Sequence, residues 1–559
     1  MNFRFESKTL RMERPLGAAT QQTAADASLE LPAGLPDIAR IVRVEAYPIV
    51  TDVDPLDNQV AVAGAIDVVL LYAHEEEVPV AASPIGDIEA EAAYGEAEGL
   101  DEDLPATEAR EVLYRHRWRR AAPFEAAVEI PGVHPGAVVE VTAASAGVEA
   151  ALRPDGRGID VEAVVAVAAR ASEEQTATVP VPRGPWPAGA EALESPVSVE
   201  HVLGRGTAHV SVDGALAAPP EAPCARVVDV AAVARSSQAI AAAGEVTVAG
   251  VVDYRVLYVD QDGRLRTGAW QEQTPFAHTF PLPEAAEGAP VHVEARLTSV
   301  DGVPGEGGRE IRVWADVEVA VRLARLEELA LVESVAGPDD LDIRCRTEPV
   351  SLEEWVGGGT HPAAVTGALE LPQGYPPIDR LLTAGAQARV ADVLVLEDKV
   401  VVAGQADVDA LYIGRSQGQP VYAVRWEDAL PFECDVPLPG AEPGLEAQAD
   451  VRVEDVVLDL LNRETAEAQV RLAVTVRLTR SAARDAVVEA VAVAPPDPDP
   501  PTWTFVVLQE GDTLWKLSHQ YHTAVDRILA ANPWLEDPEA PLPPGRKLCI
   551  PRRGSSLSH

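Results

Sequence analysis

Alternating apolar and polar residues recur in three long segments of this 559-residue chain. The segments read VAVAGAIDVVLLY (60–72), VTVAGVVDYRVLY (246–258) and VVVAGQADVDALY (400–412), and seven of their thirteen positions are identical. Every second residue is apolar, which is the period of a β-strand with one buried face. The pattern therefore predicts one strand that occurs in three copies.

Each predicted strand contains a glycine and an aspartate at fixed places. Glycine inside a strand permits a bulge or a sharp bend, so we expect each strand to bend or break at its glycine. The aspartates, which lie on the polar face, are Asp67, Asp253 and Asp407. A catalytic or metal-binding trio is one interpretation of them. An outward charge that discourages pairing with another sheet edge is the simpler one.

The similarity between the copies extends beyond these strands. A Trp stands five residues before a Pro-Phe pair in every copy, at Trp118, Trp270 and Trp426. We interpret the Trp and Phe residues as core anchors, because they recur at a fixed spacing beside apolar strands. Each copy starts with an arm that ends in a glycine (Gly17, Gly204, Gly357) and closes on an alternating run that ends in an arginine (Arg170, Arg325, Arg480).

These matches predict three repeats at about 10–170, 197–325 and 350–480. Val-rich segments broken by Gly and Pro indicate short antiparallel strands, so the predicted class is mainly β, with sandwich-like repeat domains. The first repeat is longer because of an insertion at about 74–110, which holds twelve carboxylates and one Arg. We expect a disordered acidic loop there. A docking loop for a basic partner is the alternative, and the neighbouring RHRWRR (115–120) could instead neutralise the loop.

A formal charge of −44 argues against nucleic acid and anionic membranes as partners, since both are bound through Lys and Arg. No segment has the length and apolar character of a membrane span, so we expect no membrane insertion. The four cysteines are far apart in sequence and predict isolated thiols. The N-terminal residues are charged throughout, which leads us to expect a cytosolic protein without disulfides.

The last part of the chain has a different composition. A Pro-rich stretch at 481–502 predicts a semi-rigid linker, and residues 503–553 carry six Lys or Arg and six Asp or Glu. Periodicity and capping residues predict a strand, two helices and a returning strand, with Asp512 or Thr513 as the cap of the first helix and Thr523 as that of the second. We therefore expect a small βααβ domain.

Signatures of catalysis are missing from the sequence. There is no GxxxxGK[ST] phosphate loop, no HExxH zinc motif and no GxSxG nucleophile elbow. Carboxylate pairs abound, but in so acidic a chain they have no specificity. We predict no catalytic residues, no metal and no cofactor, and hence no enzyme.

The ordered repeat motifs resemble the SPOCS domain of spore-coat-associated proteins, from the arm through the strand with Asp and Leu-Tyr to the Trp and Pro-Phe residues. Three copies followed by a C-terminal module resemble the architecture of SipL-type spore morphogenetic proteins. The resemblance implies a protein of the mother-cell compartment that helps to build the spore envelope at the forespore surface. Its implied partner is a spore coat morphogenetic protein.

The C-terminal module resembles the LysM domain in the order strand, Gly-Asp-Thr-Leu, two helices, Asn-Pro, Pro-Gly, strand. The resemblance implies a shallow groove for glycans that contain N-acetylglucosamine, such as peptidoglycan. Carried over by position, one wall is Gly511, Asp512, Thr513 and Leu514, and the other is Asn532, Pro533 and Trp534. This chain has Arg546 where the family commonly has Gln, and the same groove could instead serve a protein.

We therefore expect a non-enzymatic scaffold or adaptor that docks to the forespore surface through its LysM tail. A peptidoglycan-binding protein associated with the cell wall is one alternative, and a phage-tail-like LysM structural protein is another.

Overall fold

The computed structural model describes residues 3–79, 107–183, 186, 190–337, 342–415, 420–493, 503–521, 523–535, 537 and 541–551. Strands form 77% of the chain and helices 4%, which confirms the mainly β class. The acidic insertion was predicted at 74–110, and 80–106 lie outside the described residues. Its two ends, 75–79 and 107–111, pair with each other and lengthen a hairpin.

Within the described residues, each repeat contains six strands. Those of repeat 1 are β1 (Phe5–Glu30), β2 (Arg40–Leu56), β3 (Gln59–Pro79), β4 (Thr107–Glu129), β5 (Val138–Leu152) and β6 (Gly158–Pro182). Those of repeat 2 are β7 (Glu191–Ala217), β8 (Cys224–Ala242), β9 (Glu245–Asp260), β10 (Leu265–Pro281), β11 (Val291–Pro304) and β12 (Glu310–Ala336). Those of repeat 3 are β13 (Asp342–Glu370), β14 (Ile378–Leu396), β15 (Lys399–Gly414), β16 (Val421–Pro437), β17 (Glu446–Leu460) and β18 (Thr465–Val493).

Two antiparallel three-stranded units face each other in every repeat. In repeat 1 the strand orders are β2-β3-β4 and β1-β6-β5, and the other repeats have the same connections. The central strands β3 and β6 alternate buried and exposed residues and bring Val62, Ile66, Val165 and Val167 together in one core. Trp118 packs against this core, and the Trp residues of the other repeats lie in equivalent cores. The prediction that the Trp and Phe residues are core anchors is confirmed.

We expected each strand to bend or break at its glycine, and the strand that holds each motif glycine is continuous, which excludes the break. The extra residue of the bulge lies in the neighbouring strand, and opposite Gly64 the register of β2 shifts between Val50 and Asp52. A Cβ at Gly64 would lie 2.5 Å from the Ile49 carbonyl oxygen and would also meet the Phe124 ring. The glycine is therefore needed for close packing, because the Phe ring covers it.

Asp67 and Asp407 are buried and Asp253 is half-buried, so the prediction of an outward charge is wrong. Asp67 is 3% exposed, since β3 is a central strand and its second face is covered by the other repeats. Its carboxylate accepts hydrogen bonds from Arg117 Nε (3.0 Å) and from the backbone N–H of Arg120 (2.7 Å). Arg120 has a φ of 48° in the bulge that follows Trp118. The aspartate thus holds the bulge that sets the spacing from Trp to Pro-Phe.

The N-terminal arms join the three repeats. In each repeat the first and last strands continue beyond the two-sheet core as a two-stranded ribbon, after a register shift beside the arm glycine. The three ribbons share a buried apolar cluster that we call the hub, made of Leu10, Met12, Ala177, Val179, Val197, Val199, Leu329, Leu331, Val350, Leu352 and Ala486. All three repeats contribute to it, so none of them buries its arm alone.

A layer of mostly half-buried ion pairs lies beside the hub. Glu200 of repeat 2 accepts hydrogen bonds from Arg322 Nη1 (2.7 Å) and Nη2 (2.9 Å), and it forms an ion pair with Arg477 of repeat 3 (2.7 Å). Arg322 Nε also donates to Glu13 of repeat 1 (3.1 Å). Burial opposes ionisation of Glu200, but the two guanidinium groups outweigh it and lower its pKa. Charges of all three repeats are therefore satisfied only when the repeats are together.

The strand register also changes one equivalence drawn from the sequence. Gly17, Gly204 and Gly357 lie opposite Ala171, Leu323 and Leu478. The structural counterparts of Arg170 are therefore Arg322 and Arg477, three residues before the arginines that the sequence pattern paired with it.

The repeats have a second area of contact, on the outer faces of the motif strands β3, β9 and β15. Leu71, Leu257 and Leu411, the residues before the motif tyrosines, share one buried cluster. Nearby, Arg43 of repeat 1 contacts Asp229 of repeat 2 (2.8 Å) and Glu45 (3.3 Å). Burial raises the pKa of Glu45 and of Asp409 of repeat 3, although Arg43 opposes both shifts. The three repeats thus form one closed body.

The basic segment 115–120 serves this packing. Arg115 pairs with the half-buried Asp301 of repeat 2, and Arg117 pairs with the buried Asp67. The acidic residues that this segment could neutralise at 80–106 lie outside the described residues. The four cysteines are free, as predicted. Cys224 is buried, and burial raises the pKa of its thiol to about 11.

Candidate functional site

The C-terminal domain has the predicted βααβ order. It contains β19 (Trp503–Val507), α1 (Leu514–Gln520), α2 (Val525–Ala531) and β20 (Lys547–Pro551), and β19 pairs antiparallel with β20. Its core is made of Leu508, Leu514, Leu517, Ile528, Leu542, Leu548 and Ile550. The helices are short, so packing against this sheet rather than helix propensity stabilises them.

The helix caps agree only in part with the sequence. Thr513 is the N-cap of α1, and its Oγ1 accepts the N–H of Lys516 at 3.2 Å. The predicted cap of α2, Thr523, is wrong because the N-cap is Ala524. The Thr523 hydroxyl instead donates to the Pro551 carbonyl at 2.8 Å, which ties the start of α2 to the end of β20.

The first wall of the predicted groove is an exposed turn. Gly511 has a φ of +86°, and nothing lies within 4 Å of the place that a Cβ would occupy there. Thr513 is also exposed. The Asp512 carboxylate accepts the N–H of Gln509 at 2.7 Å, which closes the turn. Leu514 is 3% exposed and belongs to the core. Backbone groups of Gly511 and the face of Thr513 are thus the accessible parts of this wall.

The second wall separates into one structural residue and two that face outward. Asn532 is 3% exposed; its amide donates to the Ile528 carbonyl (2.7 Å) and to the Cys549 carbonyl (2.5 Å), and its oxygen accepts the N–H of Cys549 (2.8 Å). This side chain joins α2 to β20. Pro533 is exposed and Trp534 is half-buried.

A cation covers the aromatic residue of the second wall. The Arg546 guanidinium carbon lies 3.9 Å from the centroid of the Trp534 ring. The backbones of Arg546 and Leu508 are hydrogen-bonded, which places Arg546 beside the turn of the first wall. A sugar ring can therefore stack on this face of Trp534 only if the guanidinium moves away.

The outer face of β19 is a second candidate surface, which the sequence reasoning did not identify. Trp503, Phe505 and Val507 are 38%, 68% and 51% exposed, and alternate residues of a strand share one face. Phe505 is the most exposed large apolar side chain of the described residues. The alternation in WTFVV could have indicated this surface. The same alternation, however, also fits a strand in which Trp503, Phe505 and Val507 face the core.

The C-terminal domain also contacts the repeats. His519 Nε2 lies 3.2 Å from a carboxylate oxygen of Glu191 at the start of β7, and the His519 ring lies beside Trp515, with ring centroids 4.1 Å apart.

Among the described residues, no helix is both long and apolar enough to span a membrane.

Comparisons with known families agree with this architecture. The family model described as SipL, SPOCS domain, matches residues 37–153 and 377–461, and the LysM domain model matches 506–551. The two SPOCS matches fall in repeats 1 and 3, and repeat 2 has the same six strands and connections. No curated protein and no solved structure matches the chain. Both matched types are binding domains, and their combination in one chain matches the SipL-type combination of SPOCS and LysM domains.

Proposed function

We propose that the protein is a non-enzymatic scaffold of spore envelope assembly, which acts in the mother-cell compartment and docks to the forespore surface through its LysM domain. The domain composition supports a role in sporulation, since the family matched in repeats 1 and 3 is a SPOCS family. The partner in this proposal is a spore coat morphogenetic protein.

The observation that carries the proposal is the joining of three repeats into one body. Glu200 pairs with Arg322 of its own repeat and with Arg477 of repeat 3, and the hub buries apolar residues of all three arms. A body held in this way presents several surfaces at fixed distances. A LysM domain on the same chain adds a further site, and several weak sites on one chain gain affinity through effective concentration.

The apolar face of β19 is the surface that we assign to docking. Phe505 is 68% exposed and lies between an exposed Trp and an exposed Val. Such a group of exposed apolar side chains is typical of a protein interface, because apolar surface in contact with water is unfavourable in free energy. Lys547 lies opposite Val507 on β20 and adds a positive charge at one end.

Binding of peptidoglycan by the predicted groove is the second candidate. LysM domains bind glycans that contain N-acetylglucosamine, and the match over 506–551 supports this function. The exposed turn at Gly511 and Thr513 offers backbone amides and a hydroxyl to such a ligand.

Fluorescent fusions in a sporulating host test the docking. We expect a full-length fusion to surround the forespore, and a fusion without 503–559 to spread through the mother cell. A Phe505→Asp fusion should behave like the truncation, because a charge would disrupt the apolar docking face. The variant should still fold, since the Phe505 side chain is exposed. Uniform fluorescence of the full-length fusion would refute the proposal.

Sedimentation with purified peptidoglycan separates the two surfaces. If the groove binds glycan, Thr513→Asn and Trp534→Ala should reduce the bound fraction, whereas Phe505→Asp should leave it unchanged. Absence of wild-type binding would rule out the glycan candidate and leave protein docking untouched.

A further inference from the structure

The closed body has three seams between its repeats, and their facing strands occupy equivalent positions. Seam 1/2 lies between β4 and β8, seam 3/1 between β16 and β2, and seam 2/3 between β10 and β14. Strand register and the motif Trp residues define the equivalent positions. Arg40, Arg226 and Arg380 share one position, and the residues four before the motif tryptophans (Tyr114, Arg266, Tyr422) share the facing one.

Two seams are closed by an arginine over a tyrosine ring. Arg226 lies 4.0 Å from the centroid of Tyr114 in seam 1/2, and Arg40 lies 4.8 Å from the centroid of Tyr422 in seam 3/1. Arg40 Nη2 also donates to the Val421 carbonyl at 2.9 Å. Seam 1/2 is sealed further by the ion pair of Arg115 with Asp301.

Seam 2/3, as far as its residues are described, lacks both kinds of contact. Arg266 replaces the tyrosine and pairs with Asp260 of its own repeat (2.9 Å), so Arg380 has no aromatic ring to face. Arg380 is exposed, and its side chain has no hydrogen bond, ion pair or ring contact with any part of the chain that the structure describes. The counterparts of Arg115 and Asp301 are Thr267 and Val457, which cannot form an ion pair.

A cleft of about 390 Å³ opens where these contacts are missing. Its lining is mainly apolar and includes Ala269, Leu382, Val456 and Leu458, together with Thr267. Arg255 crosses it and donates to the Ala384 carbonyl at 3.4 Å. This volume is in the range of clefts that hold a ligand or a partner's side chain.

We propose that this cleft is a docking site for an acidic protein segment that inserts one aromatic side chain beside Arg380. The two closed seams show which group belongs under an arginine at this position, namely an aromatic ring. Arg255 lines the cleft, and Arg380 directly precedes the lining residue Leu381 and has no carboxylate partner among the described residues, so both favour carboxylates on the incoming segment. The partner's ring would complete the third seam as Tyr114 and Tyr422 complete the others.

The proposal goes beyond docking through the LysM domain. No described residue of 503–551 lines the cleft, so its test and the localisation test fail independently.

A designed peptide tests the site in the full-length protein. The probe is a fluorescein-labelled heptapeptide with a central tyrosine and two carboxylate residues on each side, and fluorescence anisotropy measures its Kd. We expect saturable binding that weakens about tenfold when the tyrosine of the peptide is replaced by alanine or when Arg380→Ala is introduced. Arg312→Ala, which removes another exposed positive charge outside the cleft, should leave the Kd unchanged.

Closing the seam is the complementary test. Arg266→Tyr restores the ring of the other two seams and should abolish peptide binding, although loss of the ion pair with the buried Asp260 should lower the urea midpoint. If this variant does not fold, the pair Thr267→Arg and Val457→Asp introduces the ion pair of seam 1/2 for the same purpose.

Three results would overturn the proposal. The first is absence of wild-type binding, or binding that is insensitive both to the peptide's tyrosine and to Arg380. The second is a dimer in sedimentation velocity that Arg380→Ala dissociates, since the occupant would then be a second copy. The third is peptide binding that occurs only after deletion of 80–106, because the chain's own acidic segment would then compete for the cleft.

Discussion

The Asp67 carboxylate accepts the backbone N–H of Arg120 at 2.7 Å, and the same contact joins Asp253 to Glu272 and Asp407 to Asp428 at 2.8 Å. All three acceptor carboxylates belong to the recurring motif strand, and all three donor residues have a positive φ. The contact explains why one aspartate and one spacing from Trp to Pro-Phe recur together.

We expect Asp67→Ala to lower the free energy of unfolding by about 3–5 kcal/mol, because it leaves Arg117 buried and unpaired as well as the bulge uncapped. Asp253→Ala is the matched control. Its partner Arg235 is 58% exposed and can turn to water, so the loss should be about 1–3 kcal/mol. Urea unfolding of both variants measures the difference, and equal losses would contradict the role of the buried arginine.

Gly64→Ala should destabilise repeat 1 by about 1–3 kcal/mol, because the added methyl group meets the Phe124 ring and the Ile49 carbonyl. Gly34→Ala adds the same group where nothing lies within 4 Å and should be nearly neutral. Thermal unfolding compares the two. A neutral Gly64→Ala variant would show that the ring can move aside without cost.

The contribution of Glu45 and Asp409 to the stability of the repeat body should rise as the pH falls from neutral towards their ordinary pKa values of 4.5 and 3.8. Burial raises the folded-state pKa of Glu45 and Asp409 above the ordinary values of 4.5 and 3.8. The folded state therefore retains protons that the unfolded chain has released, and this stability is lost as the pH rises through the raised pKa. The lowered pKa of Glu200 acts in the opposite direction, but its contribution is lost only as the pH falls below about 4.5.

Substitution isolates this effect from the general relief of negative charge at low pH. Glu45→Gln and Asp409→Asn should flatten the dependence of the free energy of unfolding on pH. Urea titration at neutral pH and near the ordinary carboxyl pKa of 4.5 measures this dependence. An unchanged slope in both variants would exclude these two carboxyls as its source.

Asn532→Ala should destabilise the LysM domain rather than only weaken ligand binding, because this side chain is hydrogen-bonded to three backbone groups of α2 and β20. We expect a loss of about 2–4 kcal/mol, as is usual when buried hydrogen-bonding groups are left unpaired. Far-ultraviolet circular dichroism and tryptophan fluorescence during urea unfolding measure it. Thr513→Ala, which removes only a helix cap, should cost about 1 kcal/mol.

Arg546→Gln should increase binding of N-acetylglucosamine oligomers if the groove is a glycan site. The guanidinium at 3.9 Å from the Trp534 centroid covers the ring on which a sugar would stack. Isothermal titration calorimetry with wild type, Arg546→Gln and Trp534→Ala measures the effect. Equal or weaker binding by Arg546→Gln would mean that the arginine does not compete with the sugar.

The residues of the candidate site could be located from the sequence but their roles could not. The order of strand, turn, two helices and strand predicted the domain and its two loops. Only the packing shows that Asn532 points inward while Pro533 points outward, because inward and outward positions in a loop follow no period. The apolar face of β19 was missed for a related reason, since alternation alone does not say which face meets the core.

The sequence by itself determined the repeats, the strands and the order of domains, because alternation, turn residues and recurring spacings are local properties of the chain. The tertiary structure decided what each marked residue does. Asp67 is buried rather than outward because other repeats cover its face, and the arms share a hub because no single ribbon can bury both of its sides. Whether Arg226 or Arg380 has an aromatic partner depends on residues in another repeat, and contacts over such separations leave no local pattern.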